Sequence, residues 1–200
     1  MFTRSHRRAA VVCGLLMTAS LGSLMACSKA TTEKASEAVS AAASDVSSNI
    51  SSVAADVDAS RTKAFVEKAA IANMFEIKTS ELAVKTSKNA DVLAFAKLMI
   101  KDHTKAGKAF SQAVTASTSG LTPPAALDED HQTKLDDLAT KTGADFDKAY
   151  VDLQKSAHDD AVGLFNDYSQ NGKDDALKTF AADTLPTLQM HQDHVKALKV

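Results

Sequence analysis

Cysteine, proline and glycine are scarce in this chain of 200 residues: two, three and seven copies, with no tryptophan. Two cysteines exclude a disulfide scaffold and any multi-cysteine metal site. So little proline and glycine excludes a collagen-like or Pro/Gly-rich disordered chain. A formal charge of −2 supplies no bulk attraction for nucleic acid, so no nucleic-acid partner is expected. The chain also lacks a Gly-x-Ser-x-Gly elbow and a phosphate-cradling glycine loop, and nothing else in it marks nucleophilic catalysis. What is present, 44% hydrophobic and 24% charged residues, suffices for one domain with an appendage.

The appendage begins as an export signal. Arg4, Arg7 and Arg8 form a positive head, and Ala9 to Leu24 is apolar or small. The run is too short and too diluted for a spanning helix, which needs ~20 predominantly apolar residues. It closes in Leu24-Met25-Ala26-Cys27, which resembles the lipobox of bacterial lipoproteins. The resemblance implies a signal peptide over 1–26, cleavage before Cys27, and lipidation of Cys27 as the membrane contact. Ser28, a non-aspartate, implies the periplasmic face of the outer membrane. Cleavage also removes Cys13 and three arginines, which takes the net charge from −2 to −5. Acyl chains rather than surface charge are then expected to hold the protein at the membrane.

Residues 27–61 read as a Ser/Ala-rich tether. Between 28 and 60 there are nine serines, nine alanines and no aromatic, glycine or proline. That composition suits a flexible linker. Val39, Ala43, Val46, Ile50, Val53 and Val57 nevertheless recur at 4-3-4-3-4 spacing, the seam of an amphipathic helix. Serine and valine are mediocre helix formers, so coil and helix both stay open.

From residue 62 to 200 the periodicity is helical throughout. Helix one spans about 62–88, with Phe65, Ala69, Ala72, Thr79 and Ala83 on one face. Asn89 caps helix two, which runs to about 117 with Val92, Phe95, Met99, Ala106, Phe110 and Ala113 inward. Gly120 and Pro123-Pro124 punctuate a long connection. A short helix follows from Asp128 to about 141 and ends at Gly143. Helix three spans about 145–171 with Phe146, Tyr150, Leu153, Leu164 and Tyr168 inward. After Gly172, helix four spans about 174–198, with Leu177, Phe180, Leu188, Val195 and Leu198 inward and a kink expected at Pro186. Two tight hairpins joined by a longer connection make an all-α four-helix bundle. Gly107 and Gly163 are expected at close helix contacts, and Met99 and Met190 as core filler.

Several segments together resemble family 4142 of the domains of unknown function, exported bacterial proteins. They are Glu76-Ile77, Phe95-Ala96, Met99-Ile100-Lys101-Asp102-His103, Gly143, Phe146-Asp147-Lys148-Ala149-Tyr150, His158, Leu185-Pro186 and His191. The resemblance spans about residues 62–198. It implies a ferritin-like four-helix bundle and no established activity.

Four polar residues interrupt the apolar seams, one per helix: Glu76, His103, His158 and His191. Counted from the first turn near Asn89, Glu76 lies 13 residues before and His103 14 after, so antiparallel packing brings them level. From the second turn near Lys173, His158 lies 15 before and His191 18 after, a mismatch of about 5 Å at ~1.5 Å per residue. One carboxylate and three imidazoles can thus meet inside the bundle. A di-iron site requires two Glu-x-x-His pairs and two more glutamates. The residues three before His103 and His191 are Ile100 and Leu188, so the carboxylates of a two-metal site are missing and ferroxidase-type chemistry is not expected. A single transition-metal ion held by Glu76, His103, His158 and His191 stays open, and imidazoles suit zinc, copper, iron or nickel. So does a metal-free, hydrogen-bonded polar cluster, and so does acid/base use of the same groups. His194 either joins the site or faces solvent, His131 is expected at the surface, and Asp102 and Asp159, about 100° off the seams, are expected to face water.

These readings point to an outer-membrane-anchored periplasmic lipoprotein with a non-enzymatic binding or structural role in the envelope. The alternative is a mononuclear transition-metal or metal-dependent redox protein. The protein partner is not readable from the sequence. Cys27→Ala is expected to release the protein into the soluble periplasmic fraction or to leave it unprocessed. Intact-mass measurement of the mature chain checks this, and an unmodified cysteine contradicts it.

Overall fold

Three of the four helix starts after the first turn are set by side chains that accept from otherwise unpaired N–H groups. In the computed structural model, which describes the backbone of residues 29–200 and the side chains of 40 and 43–200, Asn89 Oδ1 accepts from the N–H groups of Asp91 and Val92. Asp128 Oδ1 accepts from His131 N–H, and Asp174 Oδ1 from Leu177 N–H. The helices are α1 (Lys29–Thr86), α2 (Ala90–Ala116), α3 (Glu129–Ala139), α4 (Gly143–Asn171) and α5 (Asp175–Ala197). There is no strand among the described residues. The export signal and Cys27 lie outside the described residues. No described helix is long and apolar enough to cross a membrane.

The chain divides into two compact units, residues 1–47 and 48–200. Of the two readings of residues 28–60, the structure has helix from Lys29 onward. Its seam residues Val46, Ile50, Val53 and Val57 are all exposed, and burial begins at Thr62.

Within the second unit, α1 packs on α2 and α4, and α5 packs on α2 and α4. His103–Asn73, Phe65–Phe165, the α2–α5 contacts and the extensive α4–α5 contacts define these faces. Ser117, after α2, donates to Asp174 before α5. At the opposite end Val92, Phe146 and Val195 share one apolar cluster. The connection from 117 to 142 therefore crosses the length of the bundle and leaves α2 and α4 parallel. This is the long crossover the sequence left room for. Leu138 of α3 tucks into the cluster at the end where α4 begins.

The core is split. One cluster holds Phe65, Phe110, Phe165, Tyr168, Leu177 and Phe180. The other holds Ala83, Val92, Phe95, Met99, Phe146, Tyr150 and Val195. On each long helix a buried polar residue lies between these clusters: Glu76, His103, His158 and His191.

Pro186 lies inside α5, as expected, within the helix from Asp175 to Ala197. Several other expectations change. Gly143, expected to close the short helix, is the first residue of α4, at φ +58, a left-handed conformation that glycine adopts without strain. A side chain at Gly163 would meet open space, so that glycine is not a close-packing point, whereas one at Gly107 would press on Asn73. Met190 is 50% exposed and fills no core. His131 is half-buried rather than superficial, its ring edge-on to Phe75 and its Nδ1 2.6 Å from Asp128 Oδ1.

Gly172 is required by contact, not by backbone angle. A Cβ there would sit 2.6 Å from Tyr168 O and 2.7 Å from the Tyr168 ring, which itself stacks on Phe65 and donates to Thr62 Oγ1. Gly172→Ala is expected to destabilise by about 1–3 kcal/mol, the usual range for overpacking. For a domain of this size each kcal/mol lowers the melting temperature by roughly 2–4 °C. An unchanged melting temperature contradicts the contact.

Candidate metal centre

The polar layer occupies one level of the bundle. Glu76 lies between Ala70 and Ala83 on α1, His103 between Met99 and Phe110 on α2, His158 between Val151 and Ala161 on α4, and His191 between Leu188 and Val195 on α5. All four residues are at most 4% exposed. The three imidazole rings lie 5.5–5.9 Å apart, centroid to centroid. One ligand atom from each ring falls within 4.8 Å of those of the other two. The turn-based count thus predicts the level correctly on both hairpins, and Pro186 does not pull His191 out of register.

Each ring is held at one nitrogen by an oxygen of a neighbouring group. His158 Nδ1–H donates to the backbone carbonyl of Gln154 at 2.9 Å, one helical turn earlier. His191 Nε2–H donates to the Asp102 carboxylate at 3.0 Å. His103 Nδ1–H donates to the side-chain oxygen of Asn73 at 3.2 Å. The Gln154 carbonyl and the Asp102 carboxylate fix two tautomers, and with Asn73 Oδ1 accepting from His103 the lone pairs reside on the opposite nitrogens. Those are His103 Nε2, His158 Nε2 and His191 Nδ1, and all three are buried without a hydrogen-bond partner. Buried polar atoms in folded proteins are rarely left so.

Glu76 is not part of the converging group. Its Oε2 lies 3.1 Å from His103 Nδ1 and its Oε1 3.3 Å from His158 Nδ1, the sides of the rings turned away from the lone pairs. Oε1 accepts no hydrogen bond, because His158 directs its proton at Gln154. Burial pushes the Glu76 carboxyl up to about 8. Burial also pushes His103 down to about 3, assisted by His158 and His191, and His158 down to about 4 against the Gln154 bond. Burial lowers His191 too, with Asp102 opposing. At neutral pH the layer is therefore one carboxylic acid and three neutral imidazoles, the protonation state a metal ion requires of histidine.

One residue expected in water belongs to this layer. Asp102 leans around α2 to reach His191 and is only 19% exposed. His194 does not join the site; it is exposed and packs edge-on against Phe95. Asp159 faces solvent as expected, paired with Lys196 and Gln192. Asn73 and the Gln154 carbonyl were not expected; a polar residue three before Glu76 was the only signal for the first, and a backbone oxygen leaves none.

The fold and layer together define an all-α bundle with a buried three-histidine centre between two apolar cores. The chain belongs to the family described as a domain of unknown function, DUF4142, whose sequence profile matches residues 47–198. This bears out the family resemblance. No curated protein and no solved structure matches the chain.

The histidines dictate a pH dependence for the metal-free protein. Unfolded histidines gain protons near 6.5 while the buried ones resist until far lower, so stability is lost as pH falls below 6.5. Glu76 acts oppositely: its folded value is raised, so its contribution fades as pH rises from about 4.5 to 8. Several histidines outweigh one carboxyl below 6.5, and Glu76 alone acts above it. Urea unfolding across pH 4.5–8 is expected to show a maximum near pH 6.5, with the alkaline decline flattened in Glu76→Gln. Stability that climbs steadily from pH 6.5 to 5 contradicts this burial.

Proposed function

We propose that this protein binds a single transition-metal ion through His103 Nε2, His158 Nε2 and His191 Nδ1, and that it does so as an exported lipoprotein anchored through Cys27 at the periplasmic face of the outer membrane. The observation that carries the metal reading is the set of three buried, unpartnered nitrogens on rings whose other nitrogens are each engaged. Ligating histidines ordinarily have their second nitrogen bound in this way, to a carboxylate or carbonyl that orients the ring. Asp102, Asn73 and the Gln154 carbonyl supply those partners. A metal-free polar cluster would be expected to pair its buried nitrogens, and here three are left without a partner.

Three neutral nitrogen ligands favour zinc, copper, iron, nickel or cobalt over calcium or magnesium. A tetrahedral ion with bonds of ~2.0–2.1 Å sets its ligands about 3.4 Å apart, so modest ring rotations close the spacing. Three protein ligands leave a fourth position free, as in metal sites that take an exogenous ligand. Glu76 is the group expected to answer the added charge, by losing its proton. The anchoring reading rests on Arg4, Arg7, Arg8 and the Leu24-Met25-Ala26-Cys27 box.

The test is thermal unfolding of chelator-stripped, untagged protein with each metal added singly. At about 100 times Kd a ligand specific for the folded state adds ~2.7 kcal/mol, or roughly 5–10 °C here. His103→Ala and His158→Ala are expected to abolish the shift, and His194→Ala, outside the centre, to keep it. No shift with any of these metals overturns the metal reading.

A further inference from the structure

Three apolar side chains of α1 stand in water: Ile50, Val53 and Val57 are 65%, 61% and 52% exposed. Their spacing of three and four residues continues back through Val46, Ala43 and Val39 in the sequence. At about 100° per residue, the stripe lies roughly 110° around α1 from the face that buries Phe65, Ala69 and Glu76. The chain's own core therefore does not reach it. Serine and valine hold a helix poorly, and a helix without tertiary packing is marginal in water. The α1 helix nevertheless runs through this stretch, so the stripe calls for a partner. Lipid is a poor one. Helices that lie on membranes carry Lys and Arg on the polar face, whereas residues 40–60 hold three aspartates and no lysine or arginine.

We propose that this stripe pairs with the same stripe of a second copy of this chain, parallel and in register, as a short coiled coil. Apolar residues alternating at three and four positions form the seam of such a pair, and identical seams match each other. With Ile50 and Val57 at a positions and Val53 at d, Asp45 and Asp58 fall at c and b, away from the contact. Asp56 falls at g and Arg61 at e, five residues on. In parallel helices the g residue of one copy faces that e residue of the other, so two Asp56–Arg61 pairs bridge the chains. Within its own chain Arg61 meets Asp58, Asp167 and the Asn171 carbonyl at 3.4–3.7 Å, contacts too long to hold it firmly. The membrane sets the direction. Cys27, the expected lipid attachment, lies two residues before the start of α1 at Lys29. Copies anchored there run the same way from the bilayer. This last step rests on the anchoring reading; the matching seams and charges do not.

The test is disulfide capture in the mature, full-length chain reconstituted in vesicles. Cleavage removes Cys13 and acylation blocks Cys27, so a single introduced thiol is the only one present. Ile50→Cys, Val57→Cys and Ala55→Cys, the last at an f position on the far side of the helix, are oxidised side by side. Dimer is expected severalfold more in the first two than in the third. Adding Val53→Asp to Val57→Cys is expected to lower that dimer severalfold and to leave the melting temperature of the bundle unchanged, since Val53 packs on nothing within the chain. Equal yields at all three positions overturn the pairing. Dimer at only one of Ile50 and Val57 overturns the parallel register, because antiparallel helices bring at most one position against itself. No dimer anywhere, with the stripe shielded from thiol reagents by the vesicle, gives the stripe to lipid and overturns the pairing as well. A parent chain that itself oxidises to a dimer has a free Cys27 thiol, which counts against the anchoring reading alone. The three positions are then compared in Cys27→Ala, where the same contrast is expected and its loss overturns the pairing.

Discussion

The constraint on which the bundle depends is the desolvation of its middle layer. Four helices each carry a titratable side chain into the interior at one level, and none keeps appreciable contact with water. Burying a charge there costs far more than burying a methyl group, so the layer persists only in its uncharged form. The protonated Glu76 and the depressed histidines express the same fact from opposite sides of neutrality. Apolar clusters above and below exclude water, and in doing so set the protonation state that makes the imidazoles ligands.

Neutrality alone does not aim the lone pairs. Aiming comes from three acceptors of different origin: a side-chain amide on α1, a carboxylate on α2 and a backbone carbonyl on α4. Each takes the proton side of one ring and leaves the other side bare. Two of the three bonds cross between helices, α1 to α2 and α2 to α5, so a shift of one of these helices against its partner would misdirect a ring. The close approach of Gly107 to Asn73 is one such coupling, since any side chain at 107 would press on the residue that orients His103. Glu76 adds a neutral, compressible charge reserve against two of the rings, positioned to ionise when a cation arrives.

Much of this layer was legible because the seams are so regular. A lone histidine or glutamate amid Phe, Met, Leu and Ala at helical spacing can only be buried, and short turns let residue counts stand in for height. The count even tolerated Pro186, whose ring lies within a helix that continues on both sides. What stayed hidden was whatever a helical wheel cannot express. Asp102 lies well off the seam, yet its side chain bends toward α5 and bonds His191. The Gln154 carbonyl is invisible to any reading of side chains. Glu76 was grouped with the ligands because level and burial were right, but the wheel says nothing about which edge of an imidazole it meets. The helix through residues 29–60 was undecidable for another reason: its serines and valines are weak helix formers, and its exposed seam offers no packing to tip the balance.

The account stands or falls on where a metal ion sits. Crystals of the untagged protein soaked with zinc or cobalt, measured at the absorption edge of that metal, locate the ion without assuming any ligand. The account predicts a peak inside the bundle with His103 Nε2, His158 Nε2 and His191 Nδ1 at ~2.0–2.1 Å, and with Glu76 outside bonding distance. Interior density that shows no metal, or an ion bound through the Nδ1 atoms of His103 and His158 together with Glu76, contradicts it.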